Sequence, residues 1–445
     1  MQLDQQQLEI INSTESRIIV VAGAGSGKTS VLTERIRHLI LDLGTRPADI
    51  VAITFTNKAA DEMLSRMQDI PDIGDAFIGT IHSFANKILH AAGLYYQLLT
   101  DEMHVRLCHE LISSYAKALT VERYDEFHLL VSQVKYGTVS KREVEEFFNY
   151  DEKEEYKAIY SLTPTSDPYF PETIPTICQA RGIITFDDLL KYAKQYMLET
   201  NSTIKYCLVD EFQDVGNLED RFITSLNAEN YFLVGDDWQS IYKFKGANVD
   251  IFKARILDTD NWKTYYMTNN YRCAKSIIKL ANSVIEDVES RIKKDIKPMR
   301  KENGTVIIKP KRQLHEWLKV IHDIGNFTDW FFLARTNADC AKLAEACKEH
   351  EIPYIMFKQG DQSNAETDYL MNQECVKILT VHSAKGLERK CVMLYGNFPV
   401  NTNKNAQKNY YFKRKPMVKT ESQEEERRVM YVGVTRAQDH LLLLN

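Results

Sequence analysis

Short apolar runs alternate with longer stretches of helical periodicity at both ends of this chain. The runs fall at residues 18–21, 50–54, 206–209, 231–234, 306–309, 330–333, 376–380, 391–395 and 441–444. They are too short for helices, and they lack the apolar/polar alternation of half-buried strands. They therefore predict strands covered on both faces, as in parallel α/β sheets. The stretch 31–41 has the amphipathic spacing of a helix. The middle of the chain, 87–181, is poor in strand patterns and rich in Glu, Lys, Tyr and Leu, and reads as helical until it is broken by Pro164, Pro168, Pro171 and Pro175. The expected organisation is a first α/β domain in two parts, 1–86 and 182–272, a helical insertion at 87–181 between them, and a second α/β domain at 273–445.

The 445 residues suffice for two or three domains with full cores, and 44% hydrophobic with 27% charged residues fits a soluble globular protein. No run of about 18 apolar residues exists, so no membrane span is expected. Met1-Gln2-Leu3-Asp4 does not open a signal peptide, and the eight scattered cysteines (Cys108, Cys178, Cys207, Cys273, Cys340, Cys347, Cys375, Cys391) form no Cys-x-x-Cys pair, which points to reduced thiols in a cytoplasmic protein. The net charge of −6 excludes nucleic-acid binding by bulk charge; any strand must be held locally, by basic and aromatic side chains together.

Ala22-Gly23-Ala24-Gly25-Ser26-Gly27-Lys28-Thr29 directly follows the first apolar run. Strand, glycine turn and helix make a phosphate-binding loop. Its backbone N–H groups face a β-phosphate, Lys28 reaches the β- and γ-phosphates, and the Thr29 hydroxyl can ligate Mg2+. The strict pattern opens on Gly, where this chain has Ala22. Leu208-Val209-Asp210-Glu211-Phe212-Gln213-Asp214 ends another apolar strand. Of its two acids facing the phosphate loop, Asp210 would hold Mg2+ and Glu211 would polarise the attacking water.

After the run at 231–234 comes Gly235-Asp236-Asp237-Trp238-Gln239-Ser240-Ile241-Tyr242-Lys243-Phe244-Lys245-Gly246-Ala247. Gln239 is placed to bond a γ-phosphate or the lytic water. Tyr242, Phe244 and Lys245 interleave rings with cations, the arrangement that stacks bases and holds phosphates, although an aromatic pair alone is more often core. Asn269-Asn270-Tyr271-Arg272 offers a ring for adenine and a guanidinium for the γ-phosphate. In Tyr431-Val432-Gly433-Val434-Thr435-Arg436-Ala437, Arg436 is a candidate arginine finger from the second domain. Either arginine taken alone would read as a surface salt-bridge residue.

In their order these motifs resemble the UvrD/Rep/PcrA family of superfamily 1 DNA helicases over almost the whole chain. Leu3-Asp4-Gln5-Gln6-Gln7 resembles the family's adenine-reading Q motif, with Gln7 as reader. Thr54-Phe55-Thr56-Asn57-Lys58-Ala59-Ala60 and Gly79-Thr80-Ile81-His82-Ser83-Phe84 resemble its motifs that touch single-stranded DNA. Thr380-Val381-His382-Ser383-Ala384-Lys385-Gly386-Leu387-Glu388 is nearly the consensus, which implies that His382 and Lys385 face DNA and Glu388 the ribose. The resemblance implies two RecA-like P-loop NTPase domains, a helical insertion (1B) in the first, and 3′ to 5′ travel. Three departures stand out. Asp214 is followed by Val215-Gly216 where the family has Thr-Asn. Phe244 replaces a Trp. Only the polar stretch 359–374 occupies the place of the helical 2B domain.

The expectation is therefore a minimal ATP-driven translocase or helicase acting on single-stranded or forked DNA. Lys28, Thr29, Asp210 and Glu211 would come from one domain and Arg436 from the other, with Arg272 near the boundary. Phe55, Tyr242, Phe244 and His382 would line the strand path. A second reading is a DNA-sensing ATPase subunit that switches a partner such as a nuclease. The missing 2B domain, the acidic charge and the altered segment after Asp214 favour it. Under the first reading a replication or repair factor is the implied partner; neither reading involves a membrane.

Overall fold

The computed structural model describes residues 3–100, 103, 182–357, 369–399 and 421–445. In its first half β1 (Arg17–Ala22), β2 (Ile50–Thr54), β3 (Phe77–Thr80), β4 (Gln97–Leu98), β5 (Ile183–Ile184), β6 (Tyr206–Val209), β7 (Asn230–Gly235), β8 (Lys263–Met267) and β9 (Asn269–Asn270) succeed one another. Six of these form a parallel sheet in the order β3-β2-β6-β7-β1-β8. Ile19 of β1 lies opposite Leu233 of β7 on one side and Thr264 of β8 on the other. The pleat divides β1 between two cores. Ile18, Val20 and Ala22 pack with helix residues Ile10, Val31 and Leu32, and Ile19 and Val21 pack with Phe84, Leu189 and Phe222. Each fully buried Val or Ile contributes roughly 1.5–3 kcal/mol, and β2, β6 and β7 divide between the same two cores, so the strand that leads into the phosphate loop is fixed from both faces.

The second half contains β10 (Lys297–Pro298), β11 (Thr305–Lys309), β12 (Trp330–Ala334), β13 (Tyr354–Met356), β14 (Val376–Thr380), β15 (Arg389–Tyr395) and β16 (Ala437–Leu444). A second parallel sheet runs β11-β16-β15-β12-β14-β13. Its pleat alternates in the same way, with Phe331 and Leu333 in one core and Trp330, Phe332 and Ala334 in the other. The first of these cores also takes in Ala24, Trp238 and Ile241 from the first half, so the two sheets share buried material at the place where the phosphate loop and the turn after β7 meet.

The expected division at 86/87 falls inside the helix Ile81–Ala91, which continues past it. β4 then pairs in parallel with β5, Gln97 opposite Ile183, so the chain is side by side before and after the segment expected to be inserted. That segment falls largely outside the described residues, as does 359–368 of the stretch expected in place of 2B. The division after Arg272 lies just before helix Lys275–Ile285, whose Ile277, Ile278, Ala281 and Val284 belong to the second half's core.

Candidate active site and nucleic-acid path

Four loops meet at the C-terminal edge of the first sheet, one from each of the adjacent strands β6, β7, β1 and β8. This is where open parallel sheets bind ligands. Gly27 is the N-cap of helix Lys28–Leu41, with φ +85° and no side-chain cap, so the first-turn N–H groups face outward for another acceptor. A Cβ there would also come within 2.9 Å of Gln7 Nε2, which donates to Ser26 O at 3.0 Å. The Gln7 side chain thus supports the loop.

Lys28 Nζ lies 3.0 Å from Glu211 Oε2, and Thr29 Oγ1 lies 3.5 Å from Asp210 Oδ2. Glu211 sits in left-handed backbone (φ +50°), a strain that turns its side chain toward the loop while its N–H bonds Asp210 Oδ1 at 2.9 Å. Burial would raise the Glu211 carboxyl, but the Lys28 and Lys385 charges and the Gln213 amide outweigh it and hold it at about 2. Asp210 goes the other way. Burial and the neighbouring Glu211 charge push it up to about 6 against the pull of Lys28. A carboxylate disfavoured in this way, beside a hydroxyl and below outward-facing N–H groups, is a donor set that fits Mg2+ shared with phosphate oxygens.

A run of hydrogen bonds leaves this pair. Gln213 Nε2 donates to Glu211 Oε2 at 2.6 Å, Asp236 N donates to Gln213 Oε1 at 2.7 Å, and Gln239 Nε2 donates to Asp236 Oδ2 at 2.5 Å. Arg436 Nη2 then donates to Gln239 Oε1 at 3.0 Å. Arg436 comes from the second half and is buried. Its Nε and Nη1 are held by Val432 O and Leu387 O, and burial with the nearby Arg272 charge lowers it to about 10. Arg272 pairs with Glu388 and donates to Thr435 O at 3.3 Å, and Gln438 Nε2 donates to Glu388 Oε1 at 2.9 Å. Tyr271 N donates to Gly25 O at 2.9 Å, while its hydroxyl reaches Asp4 beside Gln7. The structure thus gathers Gln7, the loop 22–29, Asp210, Glu211, Gln239, Tyr271, Arg272, Glu388 and Arg436 around one cleft.

The residues expected on the strand path divide into two groups. Phe55 stacks on Tyr242 (ring centroids 5.3 Å apart, planes at 12°), and Phe244 stands edge-on to His382 at 5.3 Å. Phe55 and Phe244 are exposed, whereas Tyr242 is buried beneath them and its hydroxyl donates to His382 O at 3.2 Å. Tyr242 therefore backs the two outer rings and ties them to the second half. Lys245 Nζ lies 5.0 Å from the Tyr242 ring centroid, and Asn57 is exposed at the start of helix Asn57–Ser65. Burial and the Arg335 charge hold the His382 imidazole down at about 4, so it is neutral near pH 7. His82 stands apart, edge-on to the exposed Phe186 at 5.2 Å.

Lys385 departs from its expected place. It was expected to face DNA, but its side chain is only 7% exposed, pairs with the fully buried Asp214 and donates to Gln239 O at 2.9 Å. The reason is electrostatic: Asp214 is sealed in the domain junction and Lys385 is the cation that reaches it. Sequence reasoning also missed Gln213 and Asp236 as the links between the acids and Gln239, and Lys294, which lies against Asp236. In the sequence Lys294 sits in the charged run Lys293-Lys294-Asp295, which looks like solvated surface.

Residues 3–259 match the UvrD/REP helicase N-terminal domain, and residues 265–362 and 360–444 match the UvrD-like helicase C-terminal domain. Over its whole length the chain is 26% identical to a Mycoplasma pneumoniae protein named "Probable DNA helicase", covering 83% of it. Over 80% of its length it is 29% identical to the ATP-dependent DNA helicase PcrA of Leuconostoc citreum and covers 49% of that protein. DNA helicase II of Escherichia coli is 28% identical over 80% of this chain, which spans 51% of that relative. The chain thus spans about half the length of the last two. Among the described residues no helix is long and apolar enough to cross a membrane.

Proposed function

Since the chain belongs to the UvrD/REP helicase family, whose relatives here include ATP-dependent DNA helicases, we propose that it splits ATP between its two sheets and uses the opening and closing of that cleft to move 3′ to 5′ along single-stranded DNA, separating strands at a fork. One observation carries the reading. Lys28 of the first half and Arg436 of the second end on the same run of hydrogen bonds, through Glu211, Gln213, Asp236 and Gln239.

In this reading Lys28 binds the β- and γ-phosphates, and Arg272 and Arg436 meet charge developing on the γ-phosphate. Glu211, held ionised beside Lys28, accepts the proton of the attacking water, and Gln239 orients that water. Thr29 and Asp210 would hold Mg2+, which supplies charge neutralisation at the phosphates. Gln7 and Tyr271 read the adenine and Glu388 the ribose. Phe55, Phe244 and His382 carry the bases, Tyr242 supports the rings, and Asn57, His82 and Lys245 take the strand's backbone. Because Tyr242 of one half bonds His382 of the other, closure of the cleft moves the ring platform as well. The names of the relatives favour this reading over that of an ATPase subunit switching a nuclease.

The test is ATP turnover of the full chain with and without single-stranded DNA, then displacement from duplexes with a 3′ or a 5′ tail. Turnover indifferent to single strand rejects the motor, and preference for the 5′ tail rejects the direction. Lys28→Ala is expected to lose turnover by orders of magnitude, because the phosphates lose a buried cation. Near-normal turnover in that variant contradicts the loop's role.

A further inference from the structure

The segment between helix Lys275–Ile285 and β10 lies across three separate parts of the cleft. Trp238 Nε1 donates to Ile292 O at 2.9 Å, and Ile292 N donates to Asp237 Oδ2 at 2.7 Å. Lys294 Nζ lies 2.5 Å from Asp236 Oδ1 and 2.8 Å from Asp237 Oδ1, donates to Ala22 O at 3.0 Å, and sits 4.7 Å from the Trp238 ring centroid. Ile296 covers the phosphate loop so closely that a Cβ on Gly23 would fall 2.3 Å from it. The side chains of Lys294, Asp236 and Asp237 have no exposed surface. A charge taken out of water this completely persists only where it is paired.

These contacts decide which way round Gln239 lies. Asp236 Oδ1 receives Lys294 and, at 3.1 Å, Trp238 N, which leaves Oδ2 for Gln239 Nε2 at 2.5 Å. The Asp236 oxygens accept from Lys294, Trp238 and Gln239, so the amide must turn its NH2 to Asp236 and its carbonyl to Arg436. The reversed amide would aim donors at a guanidinium, which has no acceptor. We propose that Lys294 is a positioning residue for ATP hydrolysis: by pinning Asp236 it sets the Gln239 amide in the one orientation that Arg436 can meet. The proposal rests on the reading of the cleft as the ATPase site.

The test is steady-state ATP turnover of the full chain, saturated with single-stranded DNA, for Lys294→Met, Gln239→Ala and the double variant. Lys294→Met is expected to lower kcat about 10- to 100-fold, the scale of a small misplacement of a reacting group, with a smaller change in KM for ATP. In a chain that already carries Gln239→Ala it is expected to cost nothing further in kcat. Unchanged kcat in folded Lys294→Met, or losses that multiply in the double variant, would overturn the proposal. Should the stranded carboxylates keep Lys294→Met from folding, Lys294→Met combined with Asp237→Asn removes one of the two stranded charges and leaves Asp236, the acceptor of Gln239, in place. A recovered melting temperature with kcat still low supports positioning, and recovery of both overturns it. Normal turnover in Lys28→Ala would instead overturn the ATPase site itself, whereas inactive Lys28→Ala beside normal Lys294→Met overturns only the role given to Lys294.

Discussion

Lys385→Met separates a buried interdomain ion pair from a DNA contact. The substitution keeps the length of the stem and removes the ammonium that faces Asp214, whose side chain is fully buried. In the intact pair, burial lifts the Asp214 carboxyl to about 6 from its ordinary 3.8, with Lys385 pulling against it. Without Lys385 the carboxyl rises further. In both proteins the folded state then keeps a proton that the unfolded chain has released, so stability falls as pH rises from the ordinary value to the folded one and levels off above it. The intact protein levels off near about pH 6, while the variant continues to lose stability. The gap between them opens above that point by about 1.36 kcal/mol per pH unit and stops widening where the variant's own carboxyl ionises. Melting temperatures of both proteins, measured from about pH 5 to 8.5, read this directly. Parallel curves across that range would refute the buried pair. Single-strand affinity against salt is the second reading. A buried Lys385 leaves the salt slope unchanged, whereas a phosphate contact would lower it by about 1 on substitution.

Phe244→Ala is expected to weaken single-strand binding by about 1–3 kcal/mol in an anisotropy titration, since Phe244 is exposed over Tyr242 and His382; unchanged affinity would leave it a surface ring without a base. Asp210→Asn is expected to raise the Mg2+ concentration needed for half-maximal ATP turnover, and an unshifted Mg2+ titration would remove Asp210 from the metal's donors. Because burial and Arg335 hold His382 at about 4, its imidazole is neutral between about pH 6 and 8. A pH profile of strand affinity over that range should be the same for the intact chain and for His382→Phe apart from a constant offset, and an inflection lost in the variant would contradict the neutral imidazole.

The strands that were hard to read share a place in the fold. β1, β2, β6 and β7 stand inside the first sheet, and their residues are buried almost throughout, which gives the unbroken apolar runs of the sequence. β3, β8 and β13 lie at sheet edges and are largely half-exposed or exposed; Lys263-Thr264-Tyr265-Tyr266 of β8 carries no strand-like pattern of its own. An edge strand is covered less, so its sequence is constrained less. The same logic governs the site. Residues that face the cleft from strand ends lie in short contiguous strings such as Gly27-Lys28-Thr29 and are legible by chemistry. The partner of Lys385 lies 171 positions away, and that of Lys294 lies 58 away, so no local spacing reveals that either lysine is sealed off from solvent.

Two routes join the second half to Glu211, and they meet at one amide. Arg436 acts through Gln239 and Asp236, whose N–H occupies Gln213 Oε1. Lys385 acts through Asp214, which receives Gln213 Nε2 at 3.0 Å, the same NH2 group that donates to Glu211 at 2.6 Å. With carboxylates on its nitrogen side and a backbone donor on its oxygen side, Gln213 has one workable orientation. Withdrawing either the arginine or the lysine unbalances that amide and so changes what Glu211 feels, although neither cation needs to touch Glu211. In the proposed motor the position of the second sheet and the basicity of Glu211 would therefore be coupled through Gln213. Under the proposed function, a cleft closing on ATP would then set its own chemistry in the same movement that shifts the ring platform.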